Sequence, residues 1–291
     1  MRNIKLKLLN SQYGEIVAIR STTNEEDIYF NKIKREIKLK LKINIDQYKE
    51  SYIKRRIAVR MRACKCRTYK EYYEYLLKHP EEYKELENVL TVNVTEFWRD
   101  ITVYREITKI LEKMVLDKSR RSIRIWSAGC SSGEEPYGIA IIIDNLLEKH
   151  KRKSLKVTII GTDIDKNALE KARRGIYLDK QLKNLDPSLI LKYFTKISEY
   201  EYQIKPIIKR YVQFRLHDLI KDPPLKNMDM ILCRNVLIYF DKEIQEKIFL
   251  KFYEALVSGG YLVLGKTEIL RGKAKELFKT VNHRERIYQK P

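Results

Sequence analysis

The chain has few cysteines: Cys64, Cys66, Cys130 and Cys233 in 291 residues. Their number and spacing exclude a disulfide scaffold, and a reducing cytoplasm fits them. No apolar run approaches the roughly 20 residues that span a bilayer, so no membrane insertion is expected. The opening MRNIKLKLLN is basic but lacks an apolar core behind it, so no secretory signal is expected. Acid is scarce relative to base, with 39 Asp+Glu against 60 Lys+Arg and a formal charge of +21. A surface that basic calls for an acidic partner: nucleic acid, anionic lipid or an acidic protein. What is present in quantity is apolar residue, 44% against 34% charged, which permits a sizeable core and excludes wholesale disorder. The length suits one large domain or two modest ones.

Glycine is nearly absent between residues 29 and 118, and helical spacing recurs there. The densest charge lies from Tyr48 to Lys70, where Lys49, Lys54, Arg55, Arg56, Arg60, Arg62, Lys65, Arg67 and Lys70 meet one acid, Glu50. Ile53, Ile57, Met61 and Cys64 recur three and four residues apart, which predicts an amphipathic helix with an outward basic stripe. Such a run is either a solvated face or a surface that touches something acidic, and its self-repulsion favours contact. Cys64 and Cys66 have no second ligand pair nearby, so no metal site is expected. Pro80 punctuates the following helical stretch. Residues 1–28 read as an extension with strand character around Ile16 to Ile19.

After Lys118 strands and helices alternate. LKVTIIGT at 155–162, Met228 to Leu232 and Tyr261 to Leu264 read as buried strands, with helices over 135–148, 166–174 and 242–257. This order predicts an α/β fold with a doubly wound parallel sheet. Lys192 to Leu216, rich in Tyr, Ile and Val, breaks the rhythm and predicts a small antiparallel insertion at about 190–216. The expected divisions are an extension (1–28), a helical N-terminal domain (29–92), a linking segment and helix (93–118) and the α/β domain (119–291).

The segment RIWSAGCSSGEEPYGIA places Gly129 and Gly133 between a strand and a helix, where a backbone can approach a ligand and free N–H groups point at it. There is no G-x-G-x-x-G run. Glu134 and Glu135 stand where a pyrophosphate would sit and would repel it. A cofactor carrying positive charge suits them, and S-adenosylmethionine, with its ammonium and sulfonium, is one. The next strand ends in Gly161-Thr-Asp-Ile-Asp165. A carboxylate there can accept ribose hydroxyls, which predicts Asp163 as ribose ligand and Asp165 as helix cap.

Four motifs in order carry a family resemblance: Asn93-Val-Thr-Glu-Phe-Trp-Arg-Asp100, Ser127-Ala-Gly-Cys-Ser-Ser-Gly-Glu-Glu-Pro-Tyr137, Gly161-Thr-Asp-Ile-Asp165 and Cys233-Arg-Asn-Val-Leu-Ile-Tyr-Phe-Asp241. Together they closely resemble the chemotaxis receptor methyltransferases, the CheR family, from about Ile28 to Ile287. The resemblance implies a Rossmann-like S-adenosylmethionine-dependent methyltransferase sheet behind a small helical N-terminal domain, with a small antiparallel β-subdomain inserted. It implies methyl transfer to glutamate carboxylates on the cytoplasmic helical bundle of chemoreceptors, by a cytoplasmic protein for which nothing demands more than a monomer.

Carried over by motif, Asn93, Thr95 and Arg99 lie against the cofactor, and Trp98 replaces a commoner phenylalanine as an aromatic wall. Glu134 meets the methionine amino group and Asp163 the ribose. Asp218-Leu219 resemble an Asn-Leu pair beside the adenine. Asn235 and Val236 are on the cofactor side, and Arg99 and Tyr239 are nearest the transferred methyl and the incoming glutamate. The resemblance assigns receptor docking to the basic helix, through Lys54, Arg55, Arg56, Arg60 and Arg62. Members that tether to a receptor C-terminal peptide have a glycine-containing hairpin loop in the insertion. Lys192 to Tyr211 contains no glycine, so no such tether is expected. Two rival readings are a nucleic-acid methyltransferase and a non-enzymatic adaptor. Asn235 is followed by Val-Leu rather than the Pro-Pro-aromatic run expected for an extruded base, and every expected cofactor position is filled.

Overall fold

The structure is a computed structural model that describes residues 24–91 and 95–291. The chain divides into two units, Met1–Val92 and Asn93–Pro291. The strand expected near Ile16 and the site residue Asn93 lie outside the described residues.

The first unit is helical. Helix α1 spans 24–36 and passes into a π-turn, Ile37–Leu41. A 3₁₀ turn at Ile45–Gln47 precedes α2 (Glu50–Ala63), α3 (Tyr69–Lys78) and α4 (Glu82–Leu90). Pro80 falls in the break between α3 and α4, as its missing N–H and fixed φ require. Phe30, Ile33 and Ile37, Ile53 and Ile57, Tyr72 and Leu76, and Leu86 and Leu90 are all buried. On each helix they recur at three- and four-residue spacing, so one apolar stripe per helix faces a common core.

The basic stripe of α2 differs from expectation at Arg60. Its Nε and Nη2 donate to Glu82 at 2.8 and 2.7 Å, and the Tyr72 hydroxyl donates to the same carboxylate at 2.9 Å. Glu82 is only 4% exposed, so Arg60 is an internal tie and leaves the docking set. The acid lies 22 positions away, beyond the reach of a local charge count. Lys54 pairs with Glu50 at 2.7 Å, and Arg56 lies over the Tyr52 ring. Arg55, Arg62, Lys65 and Arg67 remain exposed. Arg60→Ala is therefore expected to cost about 3 kcal/mol, because it strands a buried carboxylate, whereas Arg62→Ala costs less than about 0.5 kcal/mol. Thermal melts of the two variants decide this.

The second unit begins with α5 (Ile101–Leu116), whose Val103, Tyr104, Ile107, Ile110, Leu111, Met114 and Val115 form one buried face. The sheet strands are β1 (Ser122–Ala128), β2 (Lys156–Asp163), β6 (Val212–Leu216), β7 (Met228–Cys233), β8 (Leu256–Leu264), β9 (Lys279–Asn282) and β10 (Ile287–Gln289). Their order is β6-β2-β1-β7-β8-β10-β9. The first five run parallel, while β10 is antiparallel to both neighbours. Helices α6 (Glu134–Lys149), α7 (Lys166–Arg174) and α11 (Lys242–Ala255) follow β1, β2 and β7, and α12 (Gly272–Leu277) follows β8. Helix α6 buries Ile139 through Ile143 without interruption, the pattern of a helix covered on most sides rather than a surface helix.

Between α7 and β6 lie β3 (Ile176–Leu178), α8 (Asp179–Leu182), α9 (Pro187–Tyr193), β4 (Phe194–Lys196), β5 (Glu201–Ile204) and α10 (Pro206–Lys209). Strands β3, β5 and β4 make a separate antiparallel sheet. The insertion thus starts before the expected 190, with β3. Val212–Leu216 does not belong to it. That segment is the edge strand of the main sheet, and Ile159 pairs with Val212. An edge strand with one solvated face alternates like a hairpin strand, and its partner was too distant in sequence to be read locally.

Candidate active site

Three of the four motifs leave the carboxyl ends of parallel strands β1, β2 and β7, and the fourth, at 93–100, precedes α5. In an open α/β sheet the carboxyl ends are where the backbone opens into a ligand crevice. β1 sits where the order reverses, with β2 on one side and β7 on the other.

After β1, the N–H groups of Gly129 and Cys130 both donate to the Thr162 carbonyl, at 2.8 and 2.9 Å. Gly129 has φ +78°, and a Cβ there would lie 2.5 Å from a Val236 methyl. Only glycine accepts both constraints. Glu134 opens α6 and is completely buried. Ser132 Oγ donates to it at 2.9 Å and Gln181 Nε2 at 2.5 Å. Burial pushes its pKa up to about 7, against the pull of these donors. Glu135 accepts from Ser127 Oγ at 2.8 Å and lies 3.6 Å from Arg234 Nη1. Burial raises its pKa, and the Arg234 charge opposes the rise.

After β2, the Asp163 carboxylate accepts from the N–H of Ser131 at 2.8 Å and of Asp165 at 2.9 Å, joining the glycine loop to the strand end. Burial raises its pKa. Asp165 caps α7 by accepting from the N–H of Asn167 and Ala168, the role read from the sequence. After β6, the His217 N–H donates to the Asp163 carbonyl at 3.0 Å. This places Asp218 and Leu219 next to the proposed ribose ligand. Asp218 Oδ1, however, accepts from the N–H of Ile220 at 2.8 Å and Lys221 at 3.2 Å, so half its carboxylate closes its own turn. Lys251 Nζ holds that turn by donating to the carbonyls of Leu219, Ile220 and Asp222.

After β7, Asn235 takes a left-handed conformation (φ 61°). Tyr239 lies half-buried in a 3₁₀ turn, Leu237–Tyr239. Gln245 Nε2 donates to the carbonyls of Leu237 and Phe240 and pins this turn to α11. The loop's main support is Glu268, after β8. Its carboxylate accepts from the N–H of Asn235 (2.9 Å), Val236 (3.0 Å), Leu237 (2.8 Å) and Gly265 (2.7 Å). Burial raises the Glu268 pKa and the four N–H donors oppose the rise.

Thr95 lies in the irregular segment just before the turn that holds Arg99. Trp98 and Asp100, on either side of Arg99, have φ of 51° and 62°. The Trp98 indole donates to the Gly138 carbonyl at 3.2 Å and packs near Tyr104. Its ring anchors the turn to α6 and α5. Glu96 is paired with Lys183 at 2.7 Å, which holds its pKa below the usual range. Arg234 donates to the Arg99 carbonyl at 2.8 Å and to Asp100 at 2.7 Å. Sequence reading passed over Arg234 and Glu268. Arg234 stands inside Cys233-Arg-Asn-Val, and a guanidinium at the end of a fully buried strand must find partners. Glu268 carried no local signal.

The residues fit S-adenosylmethionine. Glu134 can face a cation, and Asp163 has acceptor capacity left for a diol. The Asn235 Oδ1 is buried with no hydrogen-bond partner, an acceptor awaiting a donor. For Glu134 the fit has a consequence. Pairing with an ammonium requires the carboxylate form, while the ligand-free protein favours the neutral acid below about pH 7. A Glu134 that pairs with the ammonium would release a proton on binding, and affinity would then weaken by up to about tenfold per pH unit as pH falls from 7 toward 5. Calorimetric titration across that range should show this slope, and Glu134→Gln should flatten it.

Comparison with known proteins agrees with this geometry. Residues 93–287 match the family described as CheR methyltransferase, SAM binding domain, and residues 28–91 the CheR methyltransferase, all-alpha domain. A chemotaxis protein methyltransferase of Borreliella burgdorferi is 36% identical over 238 residues, 79% of this chain and 84% of that protein. One from Listeria innocua is 32% identical over 256 residues, 88% of this chain and 94% of that one. Chemotaxis protein methyltransferase 2 of Vibrio cholerae is 35% identical over 232 residues, 78% of this chain and 80% of that protein. With both domains matched in order, the chain belongs to the CheR methyltransferase family and is a methyltransferase that uses S-adenosylmethionine.

Proposed function

We propose that the protein methylates glutamate side-chain carboxylates in the cytoplasmic helical bundle of chemoreceptors, forming methyl esters for chemotactic adaptation. The observation that carries this reading is the match, over most of both chains, to relatives named chemotaxis protein methyltransferase. The nucleic-acid alternative is not favoured by the family assignment.

The chemistry asks little of the side chains. A glutamate carboxylate has a pKa near ~4.3 and is ionised at neutral pH, so no general base is needed. When bound, S-adenosylmethionine supplies the methyl group on a sulfonium that leaves readily. The chain's residues must align carboxylate oxygen with methyl carbon at about 3 Å and exclude water. Arg99 holds the incoming carboxylate through paired N–H donors, and Tyr239 orients one oxygen. Glu134 receives the methionine ammonium, and Asp163 the ribose. Asn93, Thr95 and Val236 line the cofactor, and Leu219, with what remains of Asp218, borders the adenine.

The acidic coiled coil of a receptor docks on the exposed bases of α2, Arg55 and Arg62, with Lys54 and Arg56 at the margin. The protein acts as a cytoplasmic monomer. No receptor C-terminal peptide tethers it, because the β4–β5 connection at 197–200 has no glycine. A labelled receptor C-terminal peptide is expected to show no binding at micromolar concentration, and saturable micromolar binding would contradict this point.

The reading is tested with methyl-labelled S-adenosylmethionine and a receptor cytoplasmic fragment. Label released as methanol by mild base supports a carboxyl methyl ester. Label that transfers but resists base means an amide, amine or nucleic-acid acceptor and overturns the substrate class.

A further inference from the structure

Arg234 is a buried guanidinium at the end of β7, with 2% of its side chain exposed. Three motifs converge on it. It donates to the Arg99 carbonyl at 2.8 Å and to Asp100 Oδ2 at 2.7 Å, and lies 3.6 Å from Glu135 Oε2 in the first turn of α6. The Tyr104 ring covers it, with the guanidinium carbon 5.4 Å from the centroid. It also precedes Asn235, whose N–H is fixed by Glu268.

The partners on the Arg99 side need this support. Trp98 and Asp100 both take left-handed backbone conformations that L-residues rarely adopt. Two such residues flanking Arg99 make a turn that relaxes unless it is tied. Its ties include the Trp98 indole to the Gly138 carbonyl, Asn184 Nδ2 to the Phe97 carbonyl and Arg234. Arg234 reaches both the carbonyl of Arg99 itself and the carboxylate of the next residue. Both of these bonds leave Nη2, while Nη1 faces Glu135, and the point charge of a lysine ammonium cannot occupy both nitrogen positions at once.

We infer that Arg234 is a positioning residue that sets the Arg99 turn relative to the β7 loop bearing Asn235 and Tyr239, and so aligns the acceptor carboxylate with the methyl group. It acts through Arg99 and touches no substrate atom. The inference deepens the glutamate-methylation reading and rests on it.

Five proteins spanning all 291 residues test it: wild type, Arg99→Ala, Arg234→Lys, the double variant and Asp100→Asn. Each is measured for methyl transfer to a receptor cytoplasmic fragment, for S-adenosylmethionine affinity and for cooperative melting. Arg234→Lys is expected to lower kcat by about 10- to 100-fold, the loss typical of misalignment near 1 Å, with cofactor affinity changed by less than about threefold. The double variant should be no slower than Arg99→Ala alone, since both changes remove one function. Asp100→Asn removes the partner's charge from an accessible side, and a loss of kcat there, again at unchanged cofactor affinity, supports the inference even where Arg234→Lys melts early. Wild-type kcat in folded Arg234→Lys overturns it, and so do losses that multiply in the double variant. Arg99→Ala with wild-type turnover overturns the reading of Arg99 and the inference with it, a result distinct from the first two.

Discussion

Replacing Arg99 with alanine is expected to cut methyl transfer by about 100-fold or more while moving S-adenosylmethionine affinity by less than about tenfold. The argument is geometric. The reaction needs no proton transfer, so its barrier is governed by alignment and by the electrostatics around the acceptor carboxylate. A guanidinium offers two parallel N–H donors that match a carboxylate and fix its plane. Arg99 should not grip the ground state tightly, because binding equal in ground and transition states lowers KM without raising kcat. The loss should therefore fall mainly on kcat. Single-turnover kinetics with a receptor fragment, beside calorimetric titration of the cofactor, separates the two effects. Wild-type turnover in Arg99→Ala would sink the assignment.

A second large effect is expected at Glu268. Its carboxylate takes four backbone N–H groups from two loops. Glu268→Ala leaves those donors buried and unpaired, at about 1–3 kcal/mol each. They will not add fully, because the loops relax together, but a loss above roughly 4 kcal/mol is a large part of a typical total stability of 5–15 kcal/mol. Glu268→Gln keeps the shape and one acceptor oxygen, and turns an NH₂ toward N–H groups. A cost of about 2 kcal/mol is expected, with S-adenosylmethionine affinity weakened by about tenfold as Asn235 leaves its left-handed conformation. Denaturant melts and cofactor titration of Glu268→Gln would show both. Unchanged cofactor affinity in that variant would mean that the loop holds its shape without the carboxylate.

Parts of the site were legible because their signals are local. Gly129 and Gly133 sit where a strand turns into a helix, and a backbone turn needs only its own residues. Asp165 caps α7 for the same reason. Asp163 ends a strand whose hydrophobic run, Val157 to Ile160, is plain in the sequence. The alternation of β1, α6, β2 and α7 showed the parallel sheet, since buried parallel strands read as continuous apolar runs. Pro80 announced the break between α3 and α4.

Other parts were not legible, and in each case the partner is remote. Arg60 looked like one more base in a stripe until Glu82 met it. β6 looked like a hairpin strand until it paired with β2. The Trp98 indole found the carbonyl of Gly138, 40 residues on, a tie that no local spacing reports.

The sequence by itself determined the helical first part, the strand–helix alternation of the second and the family, because periodicity, turn residues and contiguous motifs act over a few positions. Only the tertiary structure decided which charges are spent internally and which remain to act. A buried Arg234 or Glu268 is stable only when it meets partners that the sheet brings together from distant segments, and no local spacing reports that meeting.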